Sequence, residues 1–93
     1  MNPDLTVIEA ARSGDREAQA GLVAQYQRPV FSVCYRMLGN YADAEDAAQE
    51  VFIRVVKGLP RYEHRGQFRA WIFQIARNQA ALTAGRRQRR SHG

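Results

Sequence analysis

The sequence predicts an all-α protein, a compact bundle of three to four helices, and three observations support this prediction. Apolar residues recur every three to four positions, the spacing of an amphipathic helix, and no stretch alternates as a half-buried strand does. Turn-forming residues interrupt this pattern at Ser13-Gly14, Gly39-Asn40 and Gly58-Leu59-Pro60. With 93 residues, 45% of them hydrophobic and 25% charged, the chain is long enough for one globular domain with a modest core.

The first two helices are expected in the N-terminal 40 residues. Leu5, Ile8 and the segment 9–11 indicate a short helix that ends at Ser13-Gly14. Asp15 is then placed to cap a long second helix, with Glu17 in its first turn. The apolar stripe of this helix consists of Leu22, Tyr26, Val30, Val33 and Met37. Pro29 lies inside the stripe and is expected to kink the helix or divide it locally, before Gly39-Asn40 ends it.

A third and a fourth helix are expected in the remainder. Asp43 is predicted to cap the third helix, and its buried face consists of Ala47, Ala48, Val51, Phe52, Val55 and Val56. After a loop at 61–66, the fourth helix is expected to begin near Gln67 and to bury Phe68, Trp71, Ile72, Ile75 and Ala76. It should fray near Gly85. The predicted organisation is one helical domain, residues 1–85, followed by a flexible basic tail, residues 86–93.

Charge is distributed very unevenly along the chain. In residues 1–50 four arginines stand against eight carboxylates, a net charge of −4. In residues 51–93 nine arginines and Lys57 stand against Glu63 alone, a net charge of +9. A solvated basic face could account for a mild imbalance, but one this strong favours a polyanionic partner for the second half and a different partner for the acidic cluster.

No pattern in the sequence indicates catalysis, a cofactor or a metal site. His64 and His92 have no serine, cysteine or carboxylate at a telling spacing, and there is no glycine-rich phosphate loop. The acids Asp43, Glu45 and Asp46 suit a helix start better than a metal, since no histidine accompanies them. The single cysteine, Cys34, excludes an internal disulfide and is expected in the core. Without a signal peptide or a membrane-length apolar run, we expect a cytoplasmic, non-enzymatic protein with no membrane insertion.

Arginines and aromatic rings alternate between residues 61 and 78. The rings and His64 lie among four arginines: Tyr62, His64, Phe68, Trp71 and Phe73, with Arg61, Arg65, Arg69 and Arg77. This mixture suits single-stranded nucleic acid, because cations follow the phosphates while planar rings stack on bases released from the duplex. Asn78 carries a donor and an acceptor able to read a base edge.

Other interpretations of this segment remain open. Phe68 and Trp71 share one helical face with Ile72 and Ile75, so both rings can belong to the core. Tyr62 and His64 lie in a polar loop, so their burial is less expected. A duplex-reading helix-turn-helix domain would need a tight turn and a short recognition helix. A partner-binding bundle with a basic solubility tail is a second alternative. A peripheral membrane role ranks third, since the tail lacks an apolar face.

Two longer motifs carry a family resemblance. They read DAEDAAQEVFIR at 43–54 and GQFRAWIFQIARN at 66–78, preceded by Gly14-Asp15 and Leu38-Gly39-Asn40. In this order and at this separation they resemble region 2 of bacterial sigma factors of the extracytoplasmic-function (ECF) group, and the resemblance covers roughly residues 5–87. The stretch 79–83 departs from the family pattern, which often has an Asp-x-x-Arg-type polar stretch there.

The resemblance implies two binding surfaces. The helix that matches 43–57 would dock on the clamp helices of the largest catalytic subunit of RNA polymerase, through Asp46, Gln49, Glu50, Ile53 and Arg54. The loop and the helix after it would recognise the promoter −10 element and hold its non-template strand melted, with one base flipped into a pocket. Around that pocket the resemblance implies Tyr62, Glu63, His64, Arg65 and Phe68, then Arg69, Arg77, Asn78 and Ala81 along the strand, and Arg86 and Arg87 near phosphates. Arg61, the first arginine of the same segment, is also expected to contact DNA.

The resemblance also implies partners outside these 93 residues. ECF factors carry a second helical domain that reads the −35 element, so the chain is expected to correspond to one domain of such a factor and not to support full promoter recognition. The partners implied are promoter DNA, RNA polymerase and an inhibitory anti-sigma protein that covers the same surfaces, with the chain itself expected to be a monomer.

Overall fold

A computed structural model describes the backbone of residues 5–63 and 67–92, and side chains as far as Arg86. In this part of the chain, four α-helices and one 3-10 turn follow one another without any strand. Their bounds are α1 (Leu5–Arg12), α2 (Arg16–Leu38), α3 (Tyr41–Gly58), the 3-10 turn η1 (Leu59–Arg61) and α4 (Phe68–His92). The predicted all-α bundle is therefore confirmed. None of these helices is long and apolar enough to cross a membrane.

The junction between α1 and α2 forms as its residues predict. Gly14 adopts a φ of 100°, a left-handed conformation that glycine reaches without strain, and reverses the chain. The Asp15 carboxylate then accepts hydrogen bonds from the N–H groups of Glu17 (2.9 Å) and Ala18 (3.2 Å), which caps α2. The side-chain amide of Gln19 donates to the Ala11 carbonyl at 3.0 Å and fastens the end of α1 to α2.

The α2–α3 turn corrects one prediction. Gly39, at a φ of 67°, donates its N–H to the Tyr35 carbonyl and ends α2 as expected. The cap of α3, however, is Asn40 and not Asp43, because the Asn40 side chain accepts from the Asp43 N–H at 3.0 Å. Asp43 lies within the first turn of α3, where its charge faces the positive end of the helix dipole.

Two helices continue further than predicted. Pro29 does not divide α2, which runs unbroken for 23 residues, because the buried side chains on either side, Tyr26 and Val30, hold both halves in one core. The expected fraying near Gly85 is also wrong: α4 continues to His92. A single glycine costs a helix only about 1 kcal/mol, and the arginines and glutamine that follow are good helix formers.

The core lies where α2, α3 and α4 pack against one another, with α1 laid across α2 and η1. Most of the predicted apolar stripes are buried, and the residues without exposed surface include Val30, Cys34, Val51, Phe68 and Ala76. Burial raises the pKa of the Cys34 thiol, as expected for an inert core cysteine. The buried stripes differ in part from the predicted ones. Phe52, Val56, Trp71 and Ile75 are only half-buried and Met37 is exposed, whereas Ala44 and Leu38 are buried although they were not predicted to be.

Candidate nucleic-acid and protein interfaces

The fold places opposite charges on different helices. Over its 25 residues α4 carries no carboxylate, and its six arginines are Arg69, Arg77, Arg86, Arg87, Arg89 and Arg90. By contrast α3 carries four carboxylates, Asp43, Glu45, Asp46 and Glu50, of which the last three are exposed. The charge asymmetry of the sequence therefore becomes two separate surfaces, because α3 and α4 each turn one side to the core and the other to solvent.

The five residues expected to face the polymerase lie together on α3. Asp46, Gln49, Glu50, Ile53 and Arg54 are all exposed. Since successive residues of an α-helix turn by about 100°, these five side chains fall within an arc of about 140°. Ile53 is 46% exposed, which adds an apolar side chain to this acidic face.

A groove between α2 and α3 borders this acidic face and was not anticipated from the sequence. It encloses about 510 Å³ and is lined by Gln27, Arg28, Phe31, Ser32, Tyr41, Glu45, Ala48, Gln49 and Phe52. The Phe31 ring lies 5.1 Å from that of Tyr41 and 6.0 Å from that of Tyr35. Tyr41 is 64% exposed, so these aromatic rings are open to solvent at the rim. The signal that could have revealed the groove is the aromatic trio itself, which flanks the α2–α3 turn.

The aromatic rings after η1 form a core cluster and not an open base pocket. The Tyr62 ring lies edge-on to Phe68 at 5.3 Å and tilted against Trp71 at 4.7 Å, between ring centres. Tyr62 is only 7% exposed and Phe68 is fully buried, so the expectation of a weakly buried Tyr62 is wrong and Phe68 has no surface with which to touch a ligand. Trp71, which was also expected to be buried, is the half-buried member of the three.

Backbone geometry explains why Tyr62 turns inward. Pro60 favours the tight turn η1, and the Tyr62 N–H donates to the Leu59 carbonyl at 3.1 Å. Gly58 permits the close approach of Trp71, since a Cβ at this position would lie 3.2 Å from the indole ring. Burial raises the pKa of the Tyr62 phenol, and the nearby Arg12 guanidinium opposes that rise.

Of the other loop residues predicted to contact DNA, the structure describes some and not others. Arg61 and Glu63 are exposed beside the buried Tyr62. His64 and Arg65 lie outside the described residues, as does the side chain of Arg87. At one end of the bundle, residues 62–63 and the first turn of α4 meet through the contacts among Tyr62, Phe68 and Trp71. The 3-10 turn η1 joins them through the hydrogen bond from the Tyr62 N–H to the Leu59 carbonyl.

The exposed face of α4 brings together three of the residues expected along the strand. Arg77, Asn78 and Ala81 are exposed and, at about 100° per residue, span an arc of about 100° that also contains Gln74. The Arg77 guanidinium donates to the Gln74 amide oxygen at 3.3 Å, which orients it along the helix surface. Arg86 is exposed but lies on the opposite side of α4 from Arg77, about 180° around the helix axis.

Arg69 lies beside this face, in the first turn of α4. Its guanidinium carbon lies 4.9 Å from the centre of the Phe73 ring, a cation–π contact that holds the side chain against the helix. Phe73 also meets the Tyr26 ring edge-on at 6.5 Å. Burial raises the pKa of the Tyr26 phenol, and the charge of Arg69 opposes this. The Arg69 guanidinium is therefore held in a defined position, between the end of the bundle that carries the loop and the exposed face that carries Arg77.

Gln79 is a buried polar residue that no sequence pattern singled out. It is 1% exposed, on the core side of α4, and its amide oxygen has no hydrogen-bond partner among the described residues. Such a group is costly inside a protein. Within the same described residues, no three potential ligands cluster in a way that could hold a metal ion.

Comparisons with known proteins identify this arrangement. The family Sigma-70 region 2 matches residues 22–91. The chain is 39% identical over 71 residues to the ECF RNA polymerase sigma factor SigW of Bacillus subtilis, which covers 76% of this chain and 38% of SigW. It is 32% identical over 77 residues to the ECF RNA polymerase sigma-E factor of Escherichia coli K12, covering 83% of this chain and 40% of that protein. The chain thus spans about two fifths of these two relatives.

A solved structure shows the same fold. It is the NMR structure of an engineered region 2 of sigmaE in complex with GTAAAA, which superimposes with a TM-score of 0.85 at 30% identity. The match covers 91% of this chain and 88% of that one. The four-helix architecture of this chain and its two motifs, at 43–54 and 66–78, agree with the family match over residues 22–91. The chain therefore belongs to the Sigma-70 region 2 family, as region 2 of an ECF sigma factor.

Proposed function

We propose that this chain is a transcription-initiation module that captures the promoter −10 element as a melted non-template strand and docks on the clamp helices of RNA polymerase. The observation that carries the proposal is α4, a helix of 25 residues with six arginines and no carboxylate, whose exposed face also presents an amide. Such a surface attracts a polyanion, and the mixture of cations, Asn78 and small alanines lets a strand approach closely.

The alanines have a definite part in this proposal. Ala70 and Ala81 are exposed on the same side of α4 as Arg77. A small side chain leaves the helix surface low between the cations, so that a sugar–phosphate backbone can lie against it while Arg69 and Arg77 reach phosphates on either side. Asn78 then faces the strand with both a donor and an acceptor and can pair with a base edge.

The pocket that we propose for a flipped base has a different lining from the one expected from the sequence. Since Phe68 is fully buried and Tyr62 nearly so, their rings form the floor beneath the loop and not its lining. The half-buried Trp71 and the exposed Arg61 and Glu63 supply the accessible groups at this end of the bundle. His64 and Arg65 complete the proposed lining. The resemblance to a region 2 that is in complex with GTAAAA supports strand binding at this surface.

The acidic face of α3 is proposed to bind RNA polymerase. The exposed Ile53 lies among the polar side chains of Gln49, Glu50 and Arg54, and an apolar side chain with polar neighbours is a usual composition for a protein–protein contact. The names of the relatives, RNA polymerase sigma factors, support this assignment. An anti-sigma protein that covers the same face would hold the module inactive.

Binding to a labelled oligonucleotide tests strand capture. The full chain is titrated, by fluorescence anisotropy at fixed salt, against single-stranded GTAAAA, its duplex and a scrambled single strand. We expect single-stranded GTAAAA to bind at least about tenfold more tightly than the scrambled strand, because a mismatched base typically costs about 1–3 kcal/mol. It should also bind more tightly than the duplex, whose bases must first be unpaired and unstacked. A clear preference for the duplex would instead indicate a helix-turn-helix type of recognition.

A chain that ends at Gly85 separates the α4 face from the C-terminal arginines. Because electrostatic contacts contribute to all nucleic-acid binding, the shortened chain should bind every oligonucleotide more weakly and still prefer the same sequence. If all affinity disappears with residues 86–93, the exposed face between Arg69 and Ala81 is not the binding site.

A further inference from the structure

Helix α1 lies outside the matched family region, residues 22–91, yet it ends against the proposed capture site. Its last residue is Arg12, and α1 packs on both α2 and η1, the turn that leads into the loop. The Ala10 carbonyl accepts from the Asp15 N–H at 3.0 Å, and the Ala11 carbonyl accepts from Gln19. These bonds fix the end of α1, so the position of Arg12 is set by the fold.

The hydrogen bonding of Arg12 is incomplete. A guanidinium has five N–H donors, and one nitrogen, Nη1, donates to the Glu9 carboxylate at 2.9 Å. The Nε atom is buried and has no hydrogen-bond partner among the described residues, while the side chain as a whole is 29% exposed. The buried Nε is closed to a ligand, so an incoming anion would meet the exposed part of the guanidinium, where Glu9 occupies only Nη1.

The surroundings of Arg12 identify the anion. Arg12 lies close enough to Tyr62 for its charge to act on the phenol, and Tyr62 is followed by the loop to α4. The strand proposed to enter there carries a phosphate at every nucleotide. We propose that Arg12 is a further DNA-contacting residue, which binds a backbone phosphate of the captured strand at the loop end of the bundle. This inference rests on the proposed strand capture and adds α1 to the binding surface.

A phosphate contact by Arg12 has different consequences from a purely structural role of this residue. A cation in the last turn of a helix stabilises the negative end of the dipole, and the Glu9–Arg12 pair supports α1 at a three-residue spacing. Both effects would change folding stability and neither would change how DNA binding depends on salt. The salt dependence therefore distinguishes the two roles.

Substitution of Arg12 tests the inference in the full chain. For Arg12→Gln we expect affinity for single-stranded GTAAAA and for the scrambled strand to fall alike, by about three- to tenfold, because a phosphate contact carries no sequence information. The slope of log K against log salt should become shallower by about 0.7, the value of one phosphate contact on a single strand. Arg12→Lys should restore the slope.

Two further variants keep the test decisive if Arg12→Gln folds poorly. Glu9→Gln removes the carboxylate that competes with the phosphate, and it should raise affinity about two- to threefold while the loss of the Glu9–Arg12 pair lowers the melting temperature slightly. Arg36→Gln, an exposed arginine in the last turn of α2 at the other end of that helix, is the charge-matched control and should leave the slope unchanged.

The outcomes separate this inference from the proposed function. If the wild type binds the single strand selectively but Arg12→Gln and Glu9→Gln leave affinity and slope unchanged, Arg12 serves only the fold and the inference fails alone. If the wild type does not bind single-stranded DNA, the proposed function fails and this inference fails with it.

Discussion

At the scale of single residues, burial decides what a side chain can do more than its chemical type does. Tyr62 and Asn78 both suit base recognition by their chemistry. Tyr62 is nearly buried against Phe68 and Trp71, whereas Asn78 is exposed on the arginine face of α4. Truncating Tyr62 would therefore remove core packing, and any loss of DNA binding would follow from unfolding. Asn78 offers the cleaner test.

Asn78→Ala is expected to lower affinity for the preferred single strand by about 1–3 kcal/mol, or about five- to 150-fold, and to leave a scrambled strand nearly unaffected. The reason is that an amide paired with a base edge contributes to sequence choice, while the arginines contribute to both. Oligonucleotide titration measures the ratio. Gln27→Ala, which removes an exposed amide beside the α2–α3 groove, is the matched control. Equal losses on both strands would assign Asn78 to the phosphate backbone.

At the scale of the element, the helix ends determine where the interaction surfaces lie. Asp15 and Asn40 cap α2 and α3 through side-chain oxygens, and the positive-φ Gly39 lets the chain reverse between them. The Asn40 cap fixes the start of α3 and hence which side of that helix, Asp46 and Glu50 included, turns to solvent. A shift of one residue would rotate this face by about 100°.

Asn40→Ala is expected to destabilise the protein by about 1 kcal/mol, since the Asp43 N–H loses its acceptor. For a chain of this size the melting temperature should fall by about 4–8 °C, measured by circular dichroism. Asn40→Asp and Asn40→Ser retain a capping oxygen and should restore most of the loss. An unchanged melting temperature in Asn40→Ala would show that the cap contributes nothing to the fold.

At the scale of the whole molecule, one core supports two chemically distinct surfaces. The acidic face of α3 and the basic face of α4 belong to helices packed against each other and against α2. Because both surfaces are built on one rigid packing arrangement, a protein bound at α3 would hold the α4 face at a fixed position relative to itself. This geometry suits a module that couples a strand of DNA to a large enzyme.

Glu50→Lys and Gln49→Ala are expected to weaken binding to RNA polymerase core enzyme by about tenfold or more and to leave single-strand affinity no weaker. The reversed charge of Glu50→Lys opposes a complementary contact, and Gln49→Ala removes a hydrogen-bonding amide from it, whereas both residues lie on a different helix from the DNA face. A pull-down or titration with core polymerase measures the effect. Glu17→Lys makes the same charge change at an exposed site on α2 and should bind normally. Loss of both activities in one variant would indicate unfolding.

Local interactions explain which features the sequence by itself determined. The periodicity of apolar residues, Asp15 as a cap and the stop at Gly39 depend on neighbours within four residues, and the charge difference between the two halves depends on composition alone. All of them were therefore predictable. The exposure of Asp46, Gln49, Glu50, Ile53 and Arg54 follows in the same way, because it is set by the periodicity of α3.

Only the tertiary structure decided the rest, because burial depends on residues far apart in sequence. Tyr62 is a core residue because Phe68 and Trp71 fold back onto it and Gly58 leaves room for the indole. Pro29 stays within one helix because packing on both sides outweighs the lost hydrogen bond. The α2–α3 groove and the approach of Arg12 to Tyr62 likewise arise from segments brought together by folding, and no periodicity within a single helix encodes them.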